Sequence, residues 1–340
     1  MANIKNMRFS LWLLGIIIFT LSGCEKLFIK PDKENTHISN FEILWNDFDK
    51  NYSFFEYKRI NWDSLYSVYR PLVHNEMKNR DFFKVLNQLL FHLKDGHVNL
   101  SAPFDYTRFS EYYLKAPPNF NYDLLERNYF NNQQMYTKGG AYEYIWLGNI
   151  GYIRISDFDA SGFGYIEGLL TYFSNAKGII IDIRNNPGGD PYNAEIVASH
   201  FNNVKRVYAF WKWKNGPKHS DFTDAFPYYI EASENPWLKP VALLTNRSSF
   251  SASNDFTLMM HQLPHVIHLG DTTGGGGGVP YYRELPNGWT YRFSRTQTLS
   301  PEGENVEFGI SPHVLQYTDT NDFINGKDSM IEKALEILDN

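Results

Sequence analysis

Residues 177–190 read KGIIIDIRNNPGGD. Ile179 to Ile183 form an apolar run broken only by Asp182. A strand with no polar alternation is one covered on both faces, as in a parallel sheet. Asn185 to Gly189 then supply turn chemistry, with a proline and two glycines in a row. The segment YNAEIVASHF, 192–201, follows as a helix. Strand, tight turn and helix in that order are one half of a βαβ unit.

The same alternation extends to either side. IGYIRIS (150–156) reads as a strand and YIEGLLTYFSNA (165–176) as a helix. RVYAFWKW (206–213) is a strand, 214–238 a polar and aromatic insertion, and PVALLTN (240–246) another buried strand. SNDFTLMMHQL (253–263), VIHLG (266–270) and KDSMIEKALEIL (327–338) continue as helix, strand and C-terminal helix. RELPNGWTYRF (283–293) reads as a hairpin, with Asn287-Gly288 suited to a two-residue turn. Alternation of this kind predicts an α/β sheet core with crossover helices over 147–340.

Upstream the pattern is helical. Phe41, Leu44, Trp45 and Phe48 share a face, and Leu65, Val68, Tyr69 and Leu72 form a second set after Asn61. Val85, Leu86, Leu89, Leu90 and Leu93 repeat at close to 3.6, with Asp81 as N-cap. An N-terminal helical subdomain therefore spans 39–100, and 101–146 is a weakly patterned connector. Residues 24–38 read as a polar tether. Before them, Lys5 and Arg8 precede an apolar run, Leu11 to Leu21, that is shorter than the about 20 residues a membrane span needs. Residues 1–23 have the form of a signal peptide.

The chain has 340 residues, 43% hydrophobic and 21% charged, which is a globular composition. A net charge of -6 leaves no basic footprint and argues against nucleic acid as a partner. Cys24 is the one cysteine, so an internal disulfide and a multi-cysteine metal site are both excluded.

Four places carry chemistry. TNRSSFSASND, 245–255, holds four serines between a buried strand and a helix. A helix N-terminus presents unpaired N–H groups and partial positive charge, which favours an oxyanion. The same serines and Asn254 also read as N-caps, and the stretch alone favours that reading. Gly188-Gly189 can turn backbone N–H groups outward. His97 follows a helix end in LKDGHVNL, and Glu307 stands in ENVEFGISPHV.

Together, KGIIIDIRNNPGGD, SSFSASND and FGISP, in that order, resemble the C-terminal processing and tricorn-core family of serine peptidases. LFHLKDGHVNL is similar to the segment that carries the base in the tricorn-like branch. The tetrad Leu21 to Cys24 resembles the lipobox of bacterial lipoprotein precursors, which are cut before the lipidated cysteine.

The resemblance implies a crotonase-like or ClpP-like core, Ser251 as nucleophile and His97 as general base. It implies an oxyanion hole from the N–H of Ala252 and of Gly188 or Gly189, with Glu307 polarising the His or Ser. Neither metal nor organic cofactor is implied. The partners are a peptide or unfolded protein substrate and, through lipidated Cys24, the membrane of the cell envelope.

The sequence also departs from that family. Its processing peptidases use a lysine 25 positions after the nucleophile, and here Gly276 stands there, inside a run from Gly274 to Gly278. A serine that bridges base and glutamate in the tricorn-like branch is replaced by Gly96, leaving Asp95 as a fallback to orient His97. The connector is too short for the family's usual PDZ domain. These losses keep open a rival: a catalytically inactive peptidase-fold protein that binds peptides or apolar ligands, as a related retinoid-binding protein does.

Overall fold

The computed structural model describes residues 34–339. Helices α1 (His37–Asn51), α2 (Trp62–Tyr69) and α3 (Asn79–Phe91) open the chain. Asn61 caps α2 by accepting from Ser64 N. Helix α3 starts earlier than Asp81 predicts: Lys78 is its N-cap position, and Asp81 sits in the first turn. A carboxylate there still favours the helix dipole. Strands β1 (Asn99–Ala102) and β2 (Asp105–Arg108) follow as a hairpin.

β3 (Met135–Tyr136), β4 (Glu143–Leu147) and β5 (Ile150–Arg154) lead into helix α4 (Ile166–Tyr172). Next come β6 (Ile179–Asp182), α5 (Pro191–Ser199), β7 (Arg206–Trp213), β8 (Phe226–Ile230), β9 (Val241–Thr245), α6 (Ala252–His261) and β10 (Val266–Gly270). The chain ends with β11 (Pro280–Glu284), β12 (Thr290–Ser294), β13 (Thr296–Leu299), β14 (Val314–Leu315) and α7 (Ser329–Asp339).

The main sheet has seven strands in the order β14-β10-β9-β6-β5-β4-β3. Its centre, β10-β9-β6-β5, is parallel, and β4 and β3 join antiparallel. The sheet therefore begins within the range read as a connector. The apolar run of β6 finds partners on both faces. Ile179 and Ile181 pack with the core of α4, α5 and α6. Ile180 packs with Met330, Ile331, Ala334 and Leu338 of α7.

The front helices do not close their core alone. Trp289, Tyr291 and Phe293 of the late hairpin complete it, and β1 pairs with β12. A four-stranded sheet, β11-β12-β1-β2, results, so residues 280–294 belong with the N-terminal helices. A third sheet, β13-β7-β8, stands beside the main one.

Arg184 at the end of β6 is fully buried. Its guanidinium donates to Asp182 Oδ2 at 2.6 Å and to Asp328 Oδ2 at 2.8 Å, and Asp328 Oδ1 accepts from the N–H of Met330 at 3.1 Å. The arginine of the turn motif thus ties the central strand to the C-terminal helix. Arg184→Met strands two buried carboxylates. Urea denaturation should show a loss of about 3–5 kcal/mol with an unchanged m-value.

Candidate active site

Ser251 ends the turn between β9 and α6 with φ 60° and ψ −121°. This is a left-handed conformation that non-glycine residues avoid. Strain of this kind holds only where the surroundings over-determine it. Here Phe250 N donates to Asn186 O at 3.0 Å, and Ser251 N donates to Gly275 O at 2.9 Å. The segment is gripped by the Asn-Asn-Pro-Gly-Gly turn on one side and by the glycine run on the other. The geometry matches that of a nucleophile elbow, which lifts a side chain out at a strand-to-helix junction.

His97 Nε2 lies 2.9 Å from Ser251 Oγ. The ring reaches there from just beyond the end of α3, 154 positions away in the chain. The other serines are placed differently. Ser249 Oγ donates to Ile183 O at 2.8 Å and braces the turn, while Ser253 Oγ is buried in α6 without a partner among the described residues. Burial lowers the imidazole to about 4, with Asp95 opposing and Arg292 and Arg108 adding to the drop. His97 is therefore neutral at pH 7 and can accept a proton. Its Nδ1 is buried and unpartnered among the described residues.

Asp95 orients the backbone of His97 instead of its ring, its Oδ1 accepting from His97 N at 2.7 Å. Glu307 makes no hydrogen bond to His97 or Ser251. Its Oε1 takes Lys58 Nζ at 2.7 Å and its Oε2 takes the N–H of Gly277 at 3.0 Å. The role read for Glu307, polarising His or Ser, is thus replaced by one of holding the glycine run. Lys58 also reaches Asp95 at 3.4 Å. Burial pulls Lys58 down, but Asp95 and Glu307 outweigh it and hold it above its ordinary value. A lysine kept cationic this way is no base. Burial pushes Glu307 up to about 7 against the pull of Lys58.

The two expected oxyanion glycines divide their work. Gly188 N–H donates to Asn186 Oδ1 at 2.9 Å and is not free. The N–H groups of Gly189 and Ala252 donate to no acceptor among the described residues. Gly188 supplies room: a Cβ there would lie 2.8 Å from Ser251 Cβ and 2.9 Å from Ala252 N, at φ +100°.

The ring of Phe250, which sequence reasoning missed, accounts for both missing residues. It packs edge-on against His97 with centroids 4.8 Å apart. A Cβ on Gly96 would lie 2.8 Å from Phe250 Cζ, and one on Gly276 2.6 Å from the same atom. The ring fills the space that a bridging serine or a dyad lysine would need. Gly275 to Gly278 of the glycine run are buried, and Gly276 to Gly278 line the cleft.

The cleft around Ser251 encloses about 420 Å³. Arg108, Tyr282 and Arg292, from the sheet β11-β12-β1-β2, line it, as do Trp211 and Thr298 of the sheet β13-β7-β8 and Asp255 of α6. Among the described residues no cluster of His, Cys, Asp and Glu is arranged to hold a metal ion. No described helix is long and apolar enough to cross a membrane. Cys24 lies outside the described residues.

The model of peptidase family S41 matches residues 149–316, and that of the tricorn protease C1 domain matches 33–91. A crystal structure of a candidate peptidase from Parabacteroides merdae is 36% identical, with a TM-score of 0.85, over 90% of this chain and 97% of that one. The carboxy-terminal processing protease CtpA of Bacillus subtilis is 28% identical over 169 residues, 49% of this chain and 34% of that protein. The chain thus spans about a third of that curated relative's length. The tricorn protease shares the fold, with a TM-score of 0.55 at 16% identity over 90% of this chain and 37% of that one.

Gly276→Lys places a side chain against Phe250 at φ +83°. Thermal unfolding should shift down by several degrees. Pairing the substitution with Phe250→Ala should return part of that loss if the ring is the obstacle.

Proposed function

This chain belongs to peptidase family S41, and we propose that it is a serine peptidase acting on peptide or unfolded protein substrates. The observation that carries the reading is the 2.9 Å approach of His97 Nε2 to Ser251 Oγ at the head of α6. Ser251 Oγ attacks the scissile carbonyl as His97 takes its proton. The tetrahedral oxygen lies against the N–H groups of Gly189 and Ala252, with the partial charge of the helix end behind them. The new imidazolium sits near the carboxylate of Asp95, which favours the charged ring. His97 then returns the proton to the leaving amine. A water activated by the same imidazole releases the acyl group.

In the same reading Cys24 carries a lipid that anchors the protein at the membrane of the cell envelope, with 24–38 as the tether. Its support is the apolar leader ending in Leu21 to Cys24. The non-catalytic rival draws on one observation, the unpartnered Nδ1 of His97. A base whose second nitrogen lacks an acceptor is oriented by packing alone.

A fluorophosphonate probe discriminates the two. Ser251 should label in the native protein, and Ser251→Ala and His97→Ala should each lose at least about 10³-fold in casein hydrolysis. Ser249→Ala should lose stability rather than label. An unlabelled Ser251 in folded protein leaves only the binding reading. Because burial holds His97 at about 4, below its ordinary 6.5, kcat/KM for a peptide with an uncharged residue before the cleaved bond should stay level as pH falls through 6.5 and drop only on approach to 4. An acid limb near 6.5 would mean that a different group is the base. Cys24→Ala should move the protein from the membrane to the soluble fraction of a cell lysate.

A further inference from the structure

The two walls of the cleft come from different sheets and carry opposite charge. Arg108 belongs to β2 and Arg292 to β12, in the sheet that completes the N-terminal subdomain. Both act on His97, lowering it. Trp211 belongs to β7 and Thr298 to β13, in the third sheet. Asp255 stands with them, one turn into α6 and four residues beyond Ser251.

On this wall two polar groups have no partner among the described residues. Asp255 Oδ1 is buried and accepts no hydrogen bond, and Trp211 Nε1 is buried and donates none. The charge that acts on Asp255 is that of Glu195 on α5, which has the same sign. Tyr208 of β7 donates to Glu195 at 3.5 Å, and Asp159 lines the cleft nearby. A carboxylate left bare beside a second acid, with an indole wall, is matched by a cation on an apolar stem. The stem lies along the ring and the charge meets the carboxylate.

The chemistry fixes which residue this is. His97 hands its proton to the leaving amine, so the leaving peptide lies toward the wall of Arg108 and Arg292. The acyl part lies toward the opposite wall. We infer that Asp255 and Trp211 form the pocket for the side chain on the acyl side of the scissile bond, and that the pocket selects lysine or arginine. The orientation rests on the peptidase reading; the pocket does not.

Burial, with Glu195 beside it, pushes Asp255 up to about 7. The pocket is therefore fully charged only above neutral pH. The facing groups that share this field are Glu195, Asp159 and Tyr208; Asp190 acts in turn on Glu195.

The test uses fluorogenic peptides that differ only at the residue before the cleaved bond: lysine, its neutral near-isostere norleucine, or glutamine. At pH 8 the lysine peptide should exceed the norleucine peptide in kcat/KM by at least about tenfold, the scale of one charge-assisted hydrogen bond. That ratio should shrink as pH falls through 7. In Asp255→Asn it should fall toward one. A ratio within one preparation does not depend on how much protein is folded. Equal cleavage of lysine and norleucine, a preference for glutamine, or an unchanged ratio in Asp255→Asn would overturn the inference. Calorimetric binding of the lysine and norleucine peptides to Ser251→Ala reads the same preference without turnover. A chain that cleaves nothing yet binds the lysine peptide more tightly loses the peptidase reading and keeps the pocket. Equal binding loses the pocket whatever the activity.

Discussion

The left-handed backbone at Ser251 is the constraint on which the site depends. Such a conformation costs roughly 1–3 kcal/mol and survives only under external grip. The grip comes from hydrogen bonds on both flanks: Asn186 O holds Phe250, Gly275 O holds Ser251, and Ser249 O takes Gly274 N at 2.8 Å. Within α6, the N–H groups of Asn254 and Asp255 close on Ser251 O at 2.8 and 3.1 Å. Three segments far apart in the chain must therefore dock before one hydroxyl points into the cleft. The glycine run follows from this demand, because a Cβ on Gly275 would lie 2.0 Å from Glu307 O.

The second organising element is Phe250. Its ring stacks on Tyr112 at 5.2 Å and stands edge-on to His97. In that position it fixes the imidazole by contact and makes glycine mandatory at 96 and 276. A side chain at either position would meet the same aromatic ring next to the nucleophile. The charge that remains nearby is organised for support. Lys58 serves two buried carboxylates, of which Asp95 is held below its ordinary value and Glu307 is raised. Through Gly277 N–H, Glu307 passes that anchoring to the glycine run.

Much of this was readable along the chain. The strand 179–182 and its motif, the serine cluster before a helix, and the hairpin at Asn287-Gly288 all depend on local pattern, and the structure has each of them, though Pro286 to Gly288 close the hairpin where a two-residue turn was expected. What local pattern missed involves partners from distant segments. Nothing around Lys58 marks it as buried, and nothing around Asp255 marks it as bare. Phe250 read as one apolar residue in a serine-rich turn. The N-terminal subdomain read as self-contained, yet Trp289, Tyr291 and Phe293 complete its core.

By itself the sequence determined the alternation of strand and helix, the turn that faces the serine cluster, and the candidate identities of nucleophile and base. Those features are written in periodicity and in residues whose backbone preferences are intrinsic. Only the tertiary structure decided that Glu307 serves Lys58 and the glycines in place of the imidazole. It alone turned Gly188 N–H inward, left Gly189 N–H without an acceptor among the described residues, and brought Arg108, Arg292 and Asp255 around one cleft. The physical reason is that hydrogen-bond partners, burial and the field at a charge are set by what the fold brings within a few ångströms. Chain neighbours supply only a small part of that shell.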